Sequence, residues 1–394
     1  MLRVNGNTPE DLLKLAVECI STGLGTPILA NDEVIIPCLL EFGINEEDAY
    51  KYTTSACWEP LIGGKSVGNN NHTPLNYLRA LDNLFKRDNL ELVRDFDQLI
   101  DRYFFYLERN LKAVKRVIKS HIPTRDVLLS VFTYGCYESG KDVSQGGALY
   151  NNLGITSVAM GNTINSLLNI KKYVFDEKVY TLYDVKRMIT SDYAEDEDAL
   201  SLLKDTESYY GKDDKKVIAL TQKIMDFVSD KLNYVEDGIE KKIKIGLSGS
   251  AYMEAARGFA ASFDGRKEGA PFVVHISNEG NLAFTEITNF AAKLDYGDNR
   301  FNGNVIDLMI NPDFINRNQE KFLLFLNGSI QTGFFEMQMN VVSSKDLIEA
   351  KKNPDKFPNL IVRVWGFSAY FNDLTEDYKE VLIQRALASE KRLI

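Results

Sequence analysis

The chain has 394 residues, 44% of them hydrophobic and 26% charged, with a formal net charge of −10. That length allows one large α/β domain or two coupled ones around a sizeable core. The negative balance argues against a nucleic-acid backbone or an anionic membrane surface as partner. No apolar run is long enough to span a bilayer and no basic-then-apolar leader opens the chain, so a cytoplasmic location is expected. The four cysteines (Cys19, Cys38, Cys57, Cys136) lack CxxC spacing, which favours free thiols over a disulfide framework. The three histidines, His72, His121 and His275, form no ligand pair, so no protein-bound metal is expected.

In chain order, Thr8-Pro9-Glu10-Asp11 reads as a helix start, with Thr8 as N-cap, Pro9 at the first helical position and acids in the first turn. Leu12, Leu13, Leu15, Ala16 and Ile20 supply its apolar face, and Gly23 ends it. A second helix is expected near Asp32 to Phe42, closed by Gly43, and Asn45 caps a short third one. Tyr50 to Ala56 reads as a strand leading into a loop at Cys57. Helical spacing dominates from Pro74 to Lys119, through Leu75, Leu78, Leu81, Leu84 and Leu107, with a break around Asp88. The stretch from Gly146-Gly147 to Asn151-Asn152 reads as a functional loop rather than a linker. Residues 184–242 are charged and read as a peripheral helical excursion. Short strands and turns follow, at Asp264-Gly265-Arg266, Gly333 to Val342 and Leu360 to Phe371. With no repeat and no evident linker, one α/β unit is the simpler reading.

Two near-motifs fail on spacing. Gly64-Lys65-Ser66 ends like a phosphate-binding loop, but the glycine required five residues earlier is Glu59. Gly246-Leu247-Ser248-Gly249 is one residue short of a nucleophile elbow.

Two loops carry a chemical signal. In Asn359-Leu360-Ile361-Val362-Arg363-Val364-Trp365-Gly366-Phe367-Ser368-Ala369-Tyr370-Phe371 an apolar strand runs into a glycine and on into small and aromatic residues. A glycine bulge in a buried strand would look the same. Glycine has a second use here: loss of a Cα hydrogen leaves an electron that both flanking amides delocalise. That needs a planar α-carbon, which only a residue without a side chain reaches uncrowded. The other loop is Ser55-Ala56-Cys57-Trp58-Glu59-Pro60. A buried, inert cysteine explains it equally well. S–H and glycyl Cα–H bonds are, however, similar in strength, so a hydrogen could pass between Cys57 and Gly366, with Glu59 as general base or acid.

The run Arg363-Val364-Trp365-Gly366-Phe367-Ser368-Ala369-Tyr370-Phe371 resembles the glycyl radical motif of the pyruvate formate-lyase family, and Cys57-Trp58-Glu59-Pro60 resembles its Cys-x-Glu-Pro thiyl loop. Leu24-Gly25-Thr26-Pro27, Gly140-Lys141-Asp142, Asp264-Gly265-Arg266-Lys267 and Asn340-Val341-Val342 extend the likeness over essentially the whole chain. The resemblance implies an α/β fold: half of a ten-stranded barrel, about five strands surrounded by helices, with the Cys57 and Gly366 loops meeting at its centre. It implies a second half-barrel over residues 1–270, carrying Cys57, and a glycine radical domain over 271–394, carrying Gly366. Gly366 would store the radical, the Cys57 thiyl would take hydrogen from a small substrate, and Glu59 would manage protons. The chain would bind no cofactor itself. An activating enzyme with an iron–sulfur cluster and S-adenosylmethionine would install the radical.

Relatives are roughly double this length, and the half-barrel missing here supplies much of their substrate pocket. A partner chain, self-association into a homo-oligomer or incomplete function is therefore expected. Trp58 and Trp365 are the only tryptophans, each beside a radical residue. Either the two substitutions are independent, or both indoles fill space around the radical path. Trp58 stands where pyruvate formate-lyase has a second cysteine, which disfavours acyl transfer to coenzyme A. The Cys-x-Glu pattern resembles dehydratases, carbon–nitrogen lyases and arylacetate decarboxylases instead. Asn71 stands where glycerol-type dehydratases place an aspartate, which puts simple diol dehydration in doubt. His72 could replace that base, or Asn69-Asn70-Asn71-His72 could simply hold a turn. Two other readings stay open: a spare-part subunit that repairs a damaged radical half, and a non-catalytic truncated remnant.

Overall fold

The computed structural model describes the chain except for residues 56, 68–69, 121–123, 205–207, 237–238, 250, 278–281 and 392–394. Ala56, Asn69 and His121 therefore lie outside the described residues.

The strands are β1 (Leu2–Val4), β2 (Leu29–Asn31), β3 (Thr53–Thr54), β4 (Pro60–Leu61), β5 (Pro74–Asn76), β6 (Leu153–Val158), β7 (Tyr234–Glu236), β8 (Ile239–Lys241), β9 (Ile243–Ile245), β10 (Ile276–Ser277), β11 (Val305–Ile310), β12 (Glu336–Val341), β13 (Ile361–Arg363) and β14 (Ser368–Tyr370). Five form one sheet in the order β1-β2-β12-β11-β10, parallel throughout except where β12 meets β2. A second, three-stranded parallel sheet runs β5-β6-β9. Parallel strands joined by helical crossovers are buried on both faces, and every residue of β11 and β12 is buried. The result is half of an α/β barrel: a partial wall of strands, clothed by helices.

The two sheets are joined by the loop before β11. Asn302 Nδ2 donates to Asn70 O (2.7 Å) and to Ile155 O (3.0 Å), and its backbone amide donates to Ile245 O (3.0 Å). Gly246 makes that join possible, because a Cβ there would lie 2.1 Å from Gly303 O.

The face that each strand turns inward follows from period two. On β12, Met337, Met339 and Val341 enter the main apolar core with Ile306, Leu308 and Ile310 of β11. The opposite face carries Glu336, Gln338 and Asn340 beside Val305, Asp307 and Met309. A polar row on a fully buried strand marks the side where the functional loops lie.

Several elements differ from the sequence expectation. The first helix spans Glu10–Ser21, but Thr8 does not cap it: its hydroxyl accepts from the Asn5 amide (2.9 Å), and Pro9 takes the N-cap position. Tyr50 ends the short helix Glu46–Ala49, so only Thr53–Thr54 of the expected strand is extended. The Pro74–Lys119 stretch opens on strand β5 before helices Leu78–Arg87 and Phe96–Ser120. The charged 184–242 segment is not peripheral throughout. Its helix Lys215–Leu232 buries Val217, Ile224, Val228 and Leu232 completely. Among the described residues no helix is long and apolar enough to cross a membrane, and no cluster of three metal-ligating side chains occurs.

Candidate active site

Gly366 sits at the tip of the β13–β14 hairpin, where Ile361 pairs with Tyr370 and Arg363 with Ser368. The turn requires φ +89° at Gly366, the left-handed region that glycine enters at no steric cost. Gly366 is buried, while the next residue, Phe367, is 41% exposed. The polar row of β12 holds the hairpin down. The Arg363 amide donates to Asn340 Oδ1 (2.7 Å), Asn340 Nδ2 donates back to Arg363 O, and Arg363 Nε donates to Gln338 Oε1 (3.2 Å). Ser368 Oγ reaches Leu24 O at 3.4 Å, so the Leu24-Gly25 turn closes the outer side.

The Cys57 loop is wound around Ser55. Its Oγ accepts from the amides of Cys57 (3.2 Å) and Glu59 (3.3 Å), while its own amide donates to Glu59 O (2.9 Å). The Ser55 hydroxyl also donates to Glu59 Oε2. Trp58 is held at φ +79°, a costly conformation for a bulky side chain, and its indole is buried against Ile28 and Val305. Strain of this kind persists only where the surroundings fix it.

The two loops meet through Trp58. The Arg363 guanidinium lies 4.8 Å from the centroid of the Trp58 ring, a cation–π contact between the arginine of the glycine hairpin and the residue after Cys57. Burial lowers Arg363 to about 10, and Cys57 is among the groups whose charge it feels. Trp365 turns elsewhere: its indole donates to Tyr378 OH (3.2 Å) and packs edge-on against Phe367. The two indoles make no ring contact with each other among the described residues.

The electrostatics of the site are set by burial. Desolvation, then the charge of Glu59, push the Cys57 thiol up to about 11. Desolvation raises Glu59 to about 7, partly countered by a backbone hydrogen bond and by Lys244. Lys244 is fully buried and lowered to about 8. Its Nζ donates to Pro60 O (3.2 Å) and Asn70 Oδ1 (2.7 Å), bridging the Cys57 loop and the three-stranded sheet. Asn71 and His72 are tied to β6 instead. Asn71 Oδ1 accepts from Thr156 Oγ1 (3.1 Å), and the His72 amide donates to Gly154 O (3.0 Å). Asn70, not Asn71, is the residue of that run that touches the Lys244 contact.

Sequence reading missed Lys244, Asn70 and Glu336. Lys244 did leave a trace: a lone cation inside Ile243-Lys244-Ile245, on a strand where it has no route to water. Glu336 gave none, because its neighbours Phe335 and Met337 suit any buried strand.

Residues 1–250 match the pyruvate formate lyase-like family and residues 274–372 the glycine radical family. The chain is 25% identical to (2S)-3-sulfopropanediol dehydratase of Klebsiella oxytoca over 98% of its own length and 50% of that protein. It is 26% identical to trans-4-hydroxy-L-proline dehydratase of Clostridioides difficile, over 98% of this chain and 52% of that one. Among solved structures, the glycerol-bound B12-independent glycerol dehydratase of Clostridium butyricum superposes with a TM-score of 0.90 at 28% identity, covering 97% of this chain and 51% of that one. The chain thus spans about half the length of the relatives it matches. On its family matches and its half-barrel fold, the chain belongs to the pyruvate formate lyase-like family of glycyl radical proteins.

Proposed function

We propose that this chain is the radical-bearing half of a glycyl radical lyase of the dehydratase, carbon–nitrogen lyase or decarboxylase type, with Gly366 as radical store and Cys57 as the working thiyl. A radical S-adenosylmethionine activating enzyme removes one Cα hydrogen from Gly366. The Gly366 radical takes the hydrogen of the Cys57 S–H, and the Cys57 thiyl then takes a hydrogen from a carbon of a small substrate. Glu59 accepts or returns the proton that moves as the substrate radical eliminates its leaving group. The product radical recovers the hydrogen from Cys57, which passes the vacancy back to Gly366. A complementary half-barrel completes the pocket, with residues 1–270 and 271–394 acting as the barrel and radical parts of this half.

The observation that carries this reading is the contact of the two loops, Arg363 of the hairpin on Trp58 of the Cys57 loop. The raised thiol supports it: a thiolate has no hydrogen atom to give, and a group at about 11 keeps its S–H at neutral pH. The buried Gly366 tip is also what a stored carbon radical needs against oxygen. The test is anaerobic activation with a radical S-adenosylmethionine activating enzyme and electron paramagnetic resonance. The reading requires a glycyl doublet that disappears in Gly366→Ala and survives in Cys57→Ser. A signal that persists in Gly366→Ala would end it.

A further inference from the structure

The site holds a second buried carboxyl for which the two-residue scheme of Cys57 and Glu59 has no use. Glu336 lies on β12, central in the five-stranded sheet, and is fully buried. Its register partner on β11 is Val305, which packs against Trp58, and its partner on β2 is Ala30. Glu336 therefore faces the Cys57 loop, on the same row as Gln338 and Asn340 that clamp the hairpin.

Among the described residues the Glu336 oxygens make no hydrogen bond of normal geometry, the Asn304 backbone N–H being the one donor that acts on them, and Glu59 Oε1, Trp58 Nε1 and Gln338 Nε2 on the same side are also without a partner. Buried polar atoms are almost always paired, so a group of unpaired ones facing one place marks a site built for something other than stability. The groups facing Glu336 are Glu59 from the Cys57 loop, Tyr52 before it, and the Asn304 amide from the loop before β11. Tyr52 is already engaged by Asp32, which Arg3 also pairs. Of the buried cations nearby, Lys244 acts on Glu59 and not on Glu336, and Arg363 is taken up by Gln338 and the Trp58 ring.

We propose that Glu336 is the neutral, proton-donating partner of Glu59, so that the site handles protons with a carboxyl pair rather than one carboxylate. The proposal deepens the radical-lyase reading and rests on it. Two carboxyls sharing a buried region cannot both ionise readily, and the environment decides which keeps its proton. Here Lys244 favours ionised Glu59, while burial and the Glu59 charge hold Glu336 protonated well above the usual carboxylate range. Glu59 carboxylate then accepts a proton from a substrate hydroxyl, and Glu336 gives its proton to the leaving group as that carbon bond breaks. Transfer of the proton from Glu59 to Glu336 restores the starting pair, with no net proton and no outside reductant.

The test is the pH titration of carboxyl signals in the full chain labelled with carbon-13 at glutamate Cδ. One protonated carboxyl is expected to persist at pH 8 in the wild type, to vanish in Glu336→Gln, and to ionise at lower pH in Glu59→Gln, where the neighbouring charge is gone. Activated Glu336→Gln should keep the wild-type glycyl doublet. Ionisation of Glu336 below Glu59, a midpoint unmoved by Glu59→Gln, or loss of the doublet in Glu336→Gln would each overturn the proposal, the last by making Glu336 a support for the hairpin. If Glu336→Gln does not fold, the comparison of wild type with Glu59→Gln still decides. Absence of the doublet in the wild type would instead defeat the radical reading and leave the titration standing.

Discussion

At Glu59 stability and chemistry pull in opposite directions. Its folded pKa of about 7 lies above the ordinary value of 4.5, so the folded state binds the proton more tightly than the unfolded one. That contribution is fully present below about pH 4.5 and is lost as pH rises through 7. Glu59→Gln should therefore raise the urea midpoint at pH 8 relative to wild type and do so less at pH 5, with a difference of up to about 3 kcal/mol. Turnover should move the other way, rising through pH 7 as Glu59 ionises into a base. Trp58 invites a second comparison. Removing the indole leaves a cavity costing about 3–5 kcal/mol, but at φ +79° glycine is relieved of the strain that alanine keeps. Trp58→Gly should be more stable than Trp58→Ala by roughly 1 kcal/mol, the reverse of the usual order. Equal stabilities would mean that the strained conformation is not held in solution. At this scale the loops of Cys57 with Glu59 and of Gly366 could be picked out in the sequence, because their motifs are short and local. Lys244 and Glu336 were not, because what makes them unusual is who faces them across the sheet.

Single elements carry the site by linking distant stretches of chain. Asn302 is the clearest case, a buried amide binding Asn70 and Ile155 and so fastening one sheet to the other. Asn302→Ala should cost about 2–3 kcal/mol by leaving those carbonyls unpaired, measurable in denaturant titration. Its effect should also reach the Asn70–Lys244 contact. Behind the hairpin, Arg385 of the last helix, Glu376–Glu390, pairs with Asp307 on β11 at 2.9 Å, with both side chains buried. Replacing only Arg385 with leucine strands the Asp307 charge and should cost about 3–5 kcal/mol. The helices of the first 120 residues and of 184–242 were readable from apolar spacing, since that periodicity is local. Met160–Ile170, Phe284–Ala292, Gln319–Thr332, Ser344–Lys352 and Glu376–Glu390 went unread, in a stretch whose sequence suggests strands and turns. The strands were harder. Most are two or three residues long, too short for alternation to show, and their places are set by crossovers and by loops such as 299–304. Thr8 failed as a cap for a related reason: its hydroxyl had a nearer donor in Asn5.

For the whole molecule, a half-barrel leaves surface that a closed barrel would cover. Val127, Leu128, Val131 and Phe132 are each more than 70% exposed, and Tyr137 is 94% exposed. The helix Val127–Val131 buries none of its residues. Tyr134 nearby donates its amide to Gly64 O (2.8 Å), so this patch adjoins the chain leaving the Cys57 loop. An isolated chain with such a patch should bind hydrophobic dyes and self-associate at micromolar concentration. Light scattering should show that association reduced in Leu128→Asp with Phe132→Asp. Undiminished association in that variant would place the sticky surface elsewhere, for instance at the open edge of β1. That the chain matches about half the length of its relatives was legible once the family resemblance was seen. The location of the patch was not, because a run such as Val127-Leu128-Leu129 reads equally well as core.

The most direct measurement is electron paramagnetic resonance of the activated chain in heavy water. The Cys57 S–H exchanges with solvent, so hydrogen passing between Cys57 and Gly366 carries deuterium onto the glycine, and the Gly366 doublet should collapse to a singlet. In Cys57→Ala the doublet should remain. A doublet that stays intact in the wild type, or collapses as fast without the thiol, would mean that the two atoms do not exchange hydrogen.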